Sequence, residues 1–93
     1  MKANPFYEED VLLEEQVIDQ KEYDLIVYND DVNTFEHVID TLIDVCSHSE
    51  HQAEQCTIII HFKGKCAVKK GDFDTLAPMR NDICRRGIQA EVI

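Results

Sequence analysis

The sequence predicts an α+β domain in which a small antiparallel sheet carries its helices on one face. Three observations predict it. The run from Tyr23 to Tyr28 is β-branched and aromatic and stops at Asn29-Asp30-Asp31, a strand followed by turn-forming side chains. Phe35, Val38, Ile39, Leu42, Ile43 and Cys46 recur at steps of three and four, the apolar stripe of a helix. Ile88, Ala90 and Val92 alternate with Gln89 and Glu91, the pattern of a half-exposed strand.

The remaining elements follow in order. Asn33 lies three residues before Glu36, a spacing like that of a capping box, and is expected to open the first helix. Residues Ser49 to Phe62 support two readings. Ala53, Cys56 and Ile60 fall on a helix face, whereas Thr57-Ile58-Ile59-Ile60 is a strand by propensity. After Gly64, Cys66-Ala67-Val68 is a short strand and Lys69-Lys70-Gly71 a turn. Asp72 or Asp74 caps a last helix with Leu76, Met79 and Ile83 on its stripe, and Pro78 is tolerated in or near its first turn. Gly87 ends that helix.

The 93 residues are the size of one small domain and carry 19 acidic against 9 basic side chains, a formal charge of −10. Such a balance argues against a phosphate-backbone binder, since that affinity rests on Lys and Arg replacing counterions, so no nucleic-acid partner is expected. No membrane partner is expected either: no stretch approaches the roughly 20 apolar residues of a spanning helix. The opening Met1-Lys2-Ala3-Asn4-Pro5 lacks the apolar run of a signal peptide, which makes cytoplasmic the expected location. Residues 1–24 hold eight acids and two lysines, so residues 1–22 are read as an acidic arm in front of a domain at 23–93. Val11, Leu12, Leu13, Val17 and Ile18 leave room in that arm for an amphipathic helix that docks on a partner. Cys46, Cys56, Cys66 and Cys84 contain no Cys-x-x-Cys pair and are expected as reduced thiols, mostly buried.

Three groups of residues compete to carry chemistry. Asn29-Asp30-Asp31 and His61 can each be bland, a turn and a core histidine. Together they offer an amide oxygen, a carboxylate and an imidazole nitrogen, an acceptor cage for an ammonium group. Cys46, His48, His51 and Cys56 are borderline-soft ligands compatible with zinc or redox sensing, although their order matches no familiar zinc signature. Catalysis finds no support, because no Ser-His-Asp spacing, phosphate loop or nucleophile elbow is present.

The stretch Leu25 to Leu42, with its apolar strand, Asn29-Asp30-Asp31 and a helix containing Glu36 and Val38-Ile39, resembles the ClpS family of adaptors. So does Ile60-His61-Phe62-Lys63-Gly64-Lys65, an apolar-His-aromatic-x-Gly-Lys block in the right order and at the right separation. The resemblance spans about Tyr23 to Ile93 and implies a β-α-α-β-α-β domain with a three-stranded antiparallel sheet, which makes Ala53 to His61 helical. It implies a non-enzymatic adaptor, with no cofactor and no metal, that links N-degron substrates to the N-domain of a ClpA- or ClpC-type AAA+ unfoldase.

Asn29, Asp31 and His61 would then bind the free α-amino group of the substrate, while Asp30 fixes the loop. Asn33, Phe35, Val38, Ile60 and Ile88 would form a pocket for a bulky hydrophobic first side chain. Asp74 resembles an acidic docking contact for the unfoldase, and the arm resembles a flexible extension used in handing over substrate. Phe35 stands where the family commonly has Met, and a rigid ring there is expected to narrow the choice of first residue. A ClpS-like modulator that docks on the unfoldase without reading N-degrons is the alternative.

Overall fold

The computed structural model describes residues 21–93, and of the arm read at 1–22 all but Lys21 and Glu22 lies outside the described residues. The elements are β1 (Tyr23–Tyr28), α1 (Phe35–Cys46), α2 (Glu50–Lys63), β2 (Lys65–Gly71), α3 (Phe73–Arg85) and β3 (Ala90–Val92). Strand β1 is central in the order β2-β1-β3, and both of its neighbours run antiparallel to it. The β-α-α-β-α-β order and the antiparallel three-stranded sheet are those expected from the sequence.

Alternation along β1 sends Leu25 and Val27 into the core and leaves Asp24, Ile26 and Tyr28 half-buried on the other face. On the core side Val38 and Leu42 of α1, Ala53 and Ile60 of α2, and Leu76 and Ile83 of α3 are all buried. Each large side chain removed from water there contributes about 1.5–3 kcal/mol. The opposite face is polar, with Lys70 Nζ paired to Asp24 Oδ1 at 2.8 Å and the Tyr28 hydroxyl donating to Glu91 Oε1 at 2.9 Å. Among the described residues no helix is long and apolar enough to cross a membrane.

Several local expectations are corrected. Thr34, not Asn33, caps α1: its hydroxyl accepts from the His37 N–H at 3.1 Å, and the Asn33 side chain is engaged elsewhere. The segment that propensity left open is the helix α2, as the resemblance to the ClpS family implies for Ala53 to His61. Ser49 and Gln52 form a full capping box at its start, and Gly64 closes it in the left-handed region at φ 93°. Local isoleucine propensity loses to this cap and to the burial of Ala53, Thr57 and Ile60 on one face.

Strand β2 does not turn at Lys69 but runs on to Gly71. Its pairing passes from Ile26↔Ala67 to Leu25↔Lys69, so Val68 is the extra residue of a bulge and points inward, buried. Lys69 then reaches the Cys46 carbonyl at 2.9 Å, a cation at the C-terminal end of α1.

Asp72 is the cap of α3, its carboxylate accepting from the Thr75 N–H at 2.8 Å. Pro78 lies deeper than the first turn, as the sixth residue of α3, where it supplies no N–H to the Asp74 carbonyl. Gly87 follows the Arg86 cap at φ 87°. Gly87 N–H donates to the Cys84 carbonyl at 3.0 Å and Ile88 N–H to the Ile83 carbonyl at 3.3 Å, a Schellman motif sealed by buried Ile83 and Ile88.

Candidate functional site

The two sequence blocks meet through the sheet. Tyr28 pairs with Lys65 at the end of the β1–β2 ladder, and the next backbone bond, Asn29 N–H to the Gly64 carbonyl at 2.9 Å, places Asn29 beside the end of α2. His61 sits three residues before Gly64, in the last turn of α2, so the β1–α1 loop and the imidazole line one cavity. A Cβ at Gly64 would meet nothing within 4 Å, so glycine is favoured there by the left-handed backbone rather than by space.

The cavity has a volume of about 320 Å³. Asn29, Asp31 and His61 line one part of it and Asn33, Phe35, Val38 and Ile60 another, so seven of the residues singled out from the sequence share one concavity. Val38 and Ile60 are buried, and Phe35 is 39% exposed with its ring edge-on to His61 at 5.8 Å between centroids. His61 also contacts Phe62 edge-on at 5.1 Å, and Phe62 is exposed. Such aromatic pairs contribute about 0.5–1.5 kcal/mol beyond burial and hold the imidazole between two rings.

The two aspartates of the loop differ. Asp30 Oδ1 accepts from the Val32 N–H at 2.9 Å and the Asn33 N–H at 2.8 Å, and Oδ2 accepts from the Asn33 amide at 2.7 Å. Those bonds, the one from the Asn33 backbone foremost, hold its carboxyl below the usual carboxylate value. Asp31 is exposed and makes no side-chain hydrogen bond among the described residues. The loop thus spends one carboxylate on its own backbone and leaves the next with its acceptors open at the cavity.

Ile88 does not line the cavity; it is 2% exposed, packed in the core behind the Schellman turn. Asp74 lies away from the cavity, exposed in the first turn of α3. Cys46, His48, His51 and Cys56 do not come together as a ligand set, and among the described residues no group of three or more His, Cys, Asp or Glu side chains is placed to hold a metal ion. Cys46 is fully buried, and burial pushes its thiol up to about 11. The buried His48 ring turns Nε2 to the Val68 carbonyl at 2.8 Å, and His51 is exposed on α2.

Two cavity residues escaped the sequence reading. Thr34 lines the mouth and caps α1, and Thr57 is a buried wall residue whose hydroxyl donates to the Ala53 carbonyl at 2.7 Å. Thr34 is signalled by its residue type and place, a cap-forming hydroxyl immediately before the apolar stripe that begins at Phe35. Thr57 is signalled only once residues 49–62 are known to be helical, since it then joins Ala53 and Ile60 on the buried stripe.

A family model described as ATP-dependent Clp protease adaptor protein ClpS matches residues 18–91. The chain is 34% identical over 55 residues to the ClpS adapter protein of Oleidesulfovibrio alaskensis, covering 59% of this chain and 53% of that protein. It is 32% identical over 66 residues to that of Nitratidesulfovibrio vulgaris, covering 69% and 64% respectively. The matched region thus spans between about half and two thirds of the length of these curated relatives. The solved structure of Agrobacterium tumefaciens ClpS2 bound to L-phenylalaninamide superposes with a TM-score of 0.76 at 20% identity, covering 80% of this chain and 96% of that one, a likeness of fold. With the family model spanning most of its length, the chain belongs to the ClpS family of ATP-dependent Clp protease adaptor proteins.

Proposed function

We propose that the protein is a non-catalytic cytoplasmic adaptor. In this reading it binds the free α-amino group and bulky hydrophobic side chain of N-degron substrates and delivers them to a ClpA- or ClpC-type AAA+ unfoldase. The observation that carries the reading is the pairing, in one cavity, of the open Asp31 carboxylate and the Asn29 and His61 side chains with the apolar groups of Phe35, Val38 and Ile60. A primary ammonium group has three N–H donors and one charge, which an amide oxygen, a carboxylate and a neutral imidazole nitrogen match. Hydrogen bonds to such a charged group contribute about 1.5–3 kcal/mol each, and burial of a Leu or Phe side chain a similar amount. The ClpS2 relative was solved with an amino-acid amide that carries both features, a free α-amine and a phenyl ring.

Asp74, exposed at the start of α3, is the proposed acidic contact with the unfoldase, and the acidic arm at residues 1–22 the proposed extension that hands over substrate. Fluorescence anisotropy of labelled peptides beginning with Phe, Tyr, Trp, Leu, Met or Gly, with an N-acetylated Phe control, tests the reading. Free bulky residues bind at micromolar Kd or tighter, the acetylated control does not, and Asp31→Ala and His61→Ala each weaken binding tenfold or more with the fold intact. Equal binding of the acetylated peptide, or no binding by any of them, removes the amine site and leaves Asn29-Asp30-Asp31 as a structural turn.

A further inference from the structure

The loop that would carry the amine site is tied to a distant part of the chain by one side chain. Asn33 Nδ2 donates at once to Asp30 Oδ2 at 2.7 Å and to the Gly87 carbonyl at 2.9 Å, a residue 54 positions away. Both partners are acceptors, so the nitrogen and not the oxygen of the amide must face them. The acceptor at Gly87 is itself held. The Schellman motif closes α3 around it, the His37 Nε2 donates to the neighbouring Arg86 carbonyl at 2.8 Å, and the Arg86 guanidinium pairs with Asp44 at 3.1 Å. Asp30, in turn, gathers the Val32 and Asn33 backbone N–H groups and so sets the curvature of the turn that contains Asp31.

We propose that Asn33 is a positioning residue for the amine site: its amide ties the Asp30–Asp31 loop to the end of α3 and thereby holds the Asp31 carboxylate toward the cavity. This rests on the amine-binding reading above. It gives Asn33 a task other than forming an apolar pocket wall, since its polar end is consumed by the loop and by Gly87. An amide suits the task because its nitrogen carries two hydrogens for two acceptors; Thr or Ser has one and Asp none. Without the tie, the loop keeps the Asp30 turn but loses its fixed angle to α2, where His61 resides.

The test is a double-mutant cycle read by peptide anisotropy with Phe-initial and Leu-initial peptides, on the wild-type chain, Asn33→Ala, Asp31→Ala and the double variant. Asn33→Ala is expected to lower affinity about tenfold, the scale of one hydrogen bond to a charged group. The factor is the same for Phe and Leu, and the substitution costs nothing further in the Asp31→Ala background. Asn33→Ser, which keeps one donor, gives an intermediate loss and serves if Asn33→Ala does not fold. A loss that differs between Phe and Leu makes Asn33 a pocket wall and overturns the proposal, as does full additivity with Asp31→Ala or an unchanged affinity. Wild-type protein that binds no free-amine peptide overturns the amine-site reading and this one together, whereas wild-type binding with Asn33→Ala unaffected overturns this one alone.

Discussion

Ser47→Gly is expected to make the domain more stable. Ser47 follows α1 at φ 58° and ψ 32°, the left-handed region, and among the described residues it is the one non-glycine residue with positive φ. A Cβ in that region costs roughly 1–2 kcal/mol. The Ser47 side chain is exposed and takes part in no side-chain hydrogen bond among the described residues, so its removal forfeits no such bond. The backbone bond from Ser47 N–H to the Leu42 carbonyl is kept by glycine. Against the relief stands the extra freedom of glycine in the unfolded chain, about 0.4–1 kcal/mol. The net gain is about 0.5–1 kcal/mol, and for a domain of this size 1 kcal/mol moves Tm by about 4–8 °C. Thermal unfolding followed by circular dichroism, with Ser47→Ala as the control that keeps the Cβ, measures it. A Tm for Ser47→Gly equal to or below that of the wild type refutes the assignment of strain to this residue.

Two further outcomes follow from local geometry. Pro78→Ala restores an N–H for the Asp74 carbonyl at an exposed position of α3 and is expected to stabilise by about 2–2.6 kcal/mol, the roughly 3 kcal/mol cost of an interior proline less its unfolded-state benefit of about 0.4–1 kcal/mol; urea midpoints check it, and a lower midpoint rejects it. Asp30 and Asp72 have folded pKa values below the ordinary carboxylate value of 3.8, the first held there foremost by the Asn33 backbone N–H and the second by Thr75. Their stabilisation is therefore complete above the unfolded value and lost as pH falls through the folded ones. Asp30→Asn should flatten the acid limb of stability below about pH 4, and an unchanged slope there would show that the loop bonds do not depend on the charge.

The strand at 23–28, a last strand whose paired part is Ala90–Val92 rather than the whole alternation from Ile88, the α1 stripe, an aspartate cap at Asp72 or Asp74 and the stop at Gly87 were legible because each depends on side-chain period or on backbone preference within a few residues. So was the identity of seven cavity residues, through the two blocks that resemble the ClpS family. Residues 49–62 were not settled by propensity, since Ile58-Ile59-Ile60 favours a strand locally. The decision came from a capping box at Ser49 and from packing against β2 and α1. The length of β2 depended on Val68 bulging inward while Lys69 found the end of α1, contacts with partners 23 and more residues away.

Local pattern by itself determined which segments are apolar, that turn-forming side chains follow β1, and that Asn29-Asp30-Asp31 and His61 carry the acceptors an ammonium group would need; the choice of Asn29, Asp31 and His61 among them comes from the resemblance to the ClpS family and is part of the proposal. Tertiary structure decided which carboxylate is left open, because Asp30 is consumed by Val32 and Asn33 and Asp31 is not. It also placed Ile88 in the core instead of the cavity, and turned Asn33 from a cap into a tie to Gly87. The physical reason is range: period and propensity act over one or two turns of chain, whereas a hydrogen-bond acceptor is claimed by whichever donor the packed sheet and helices bring within 3 Å.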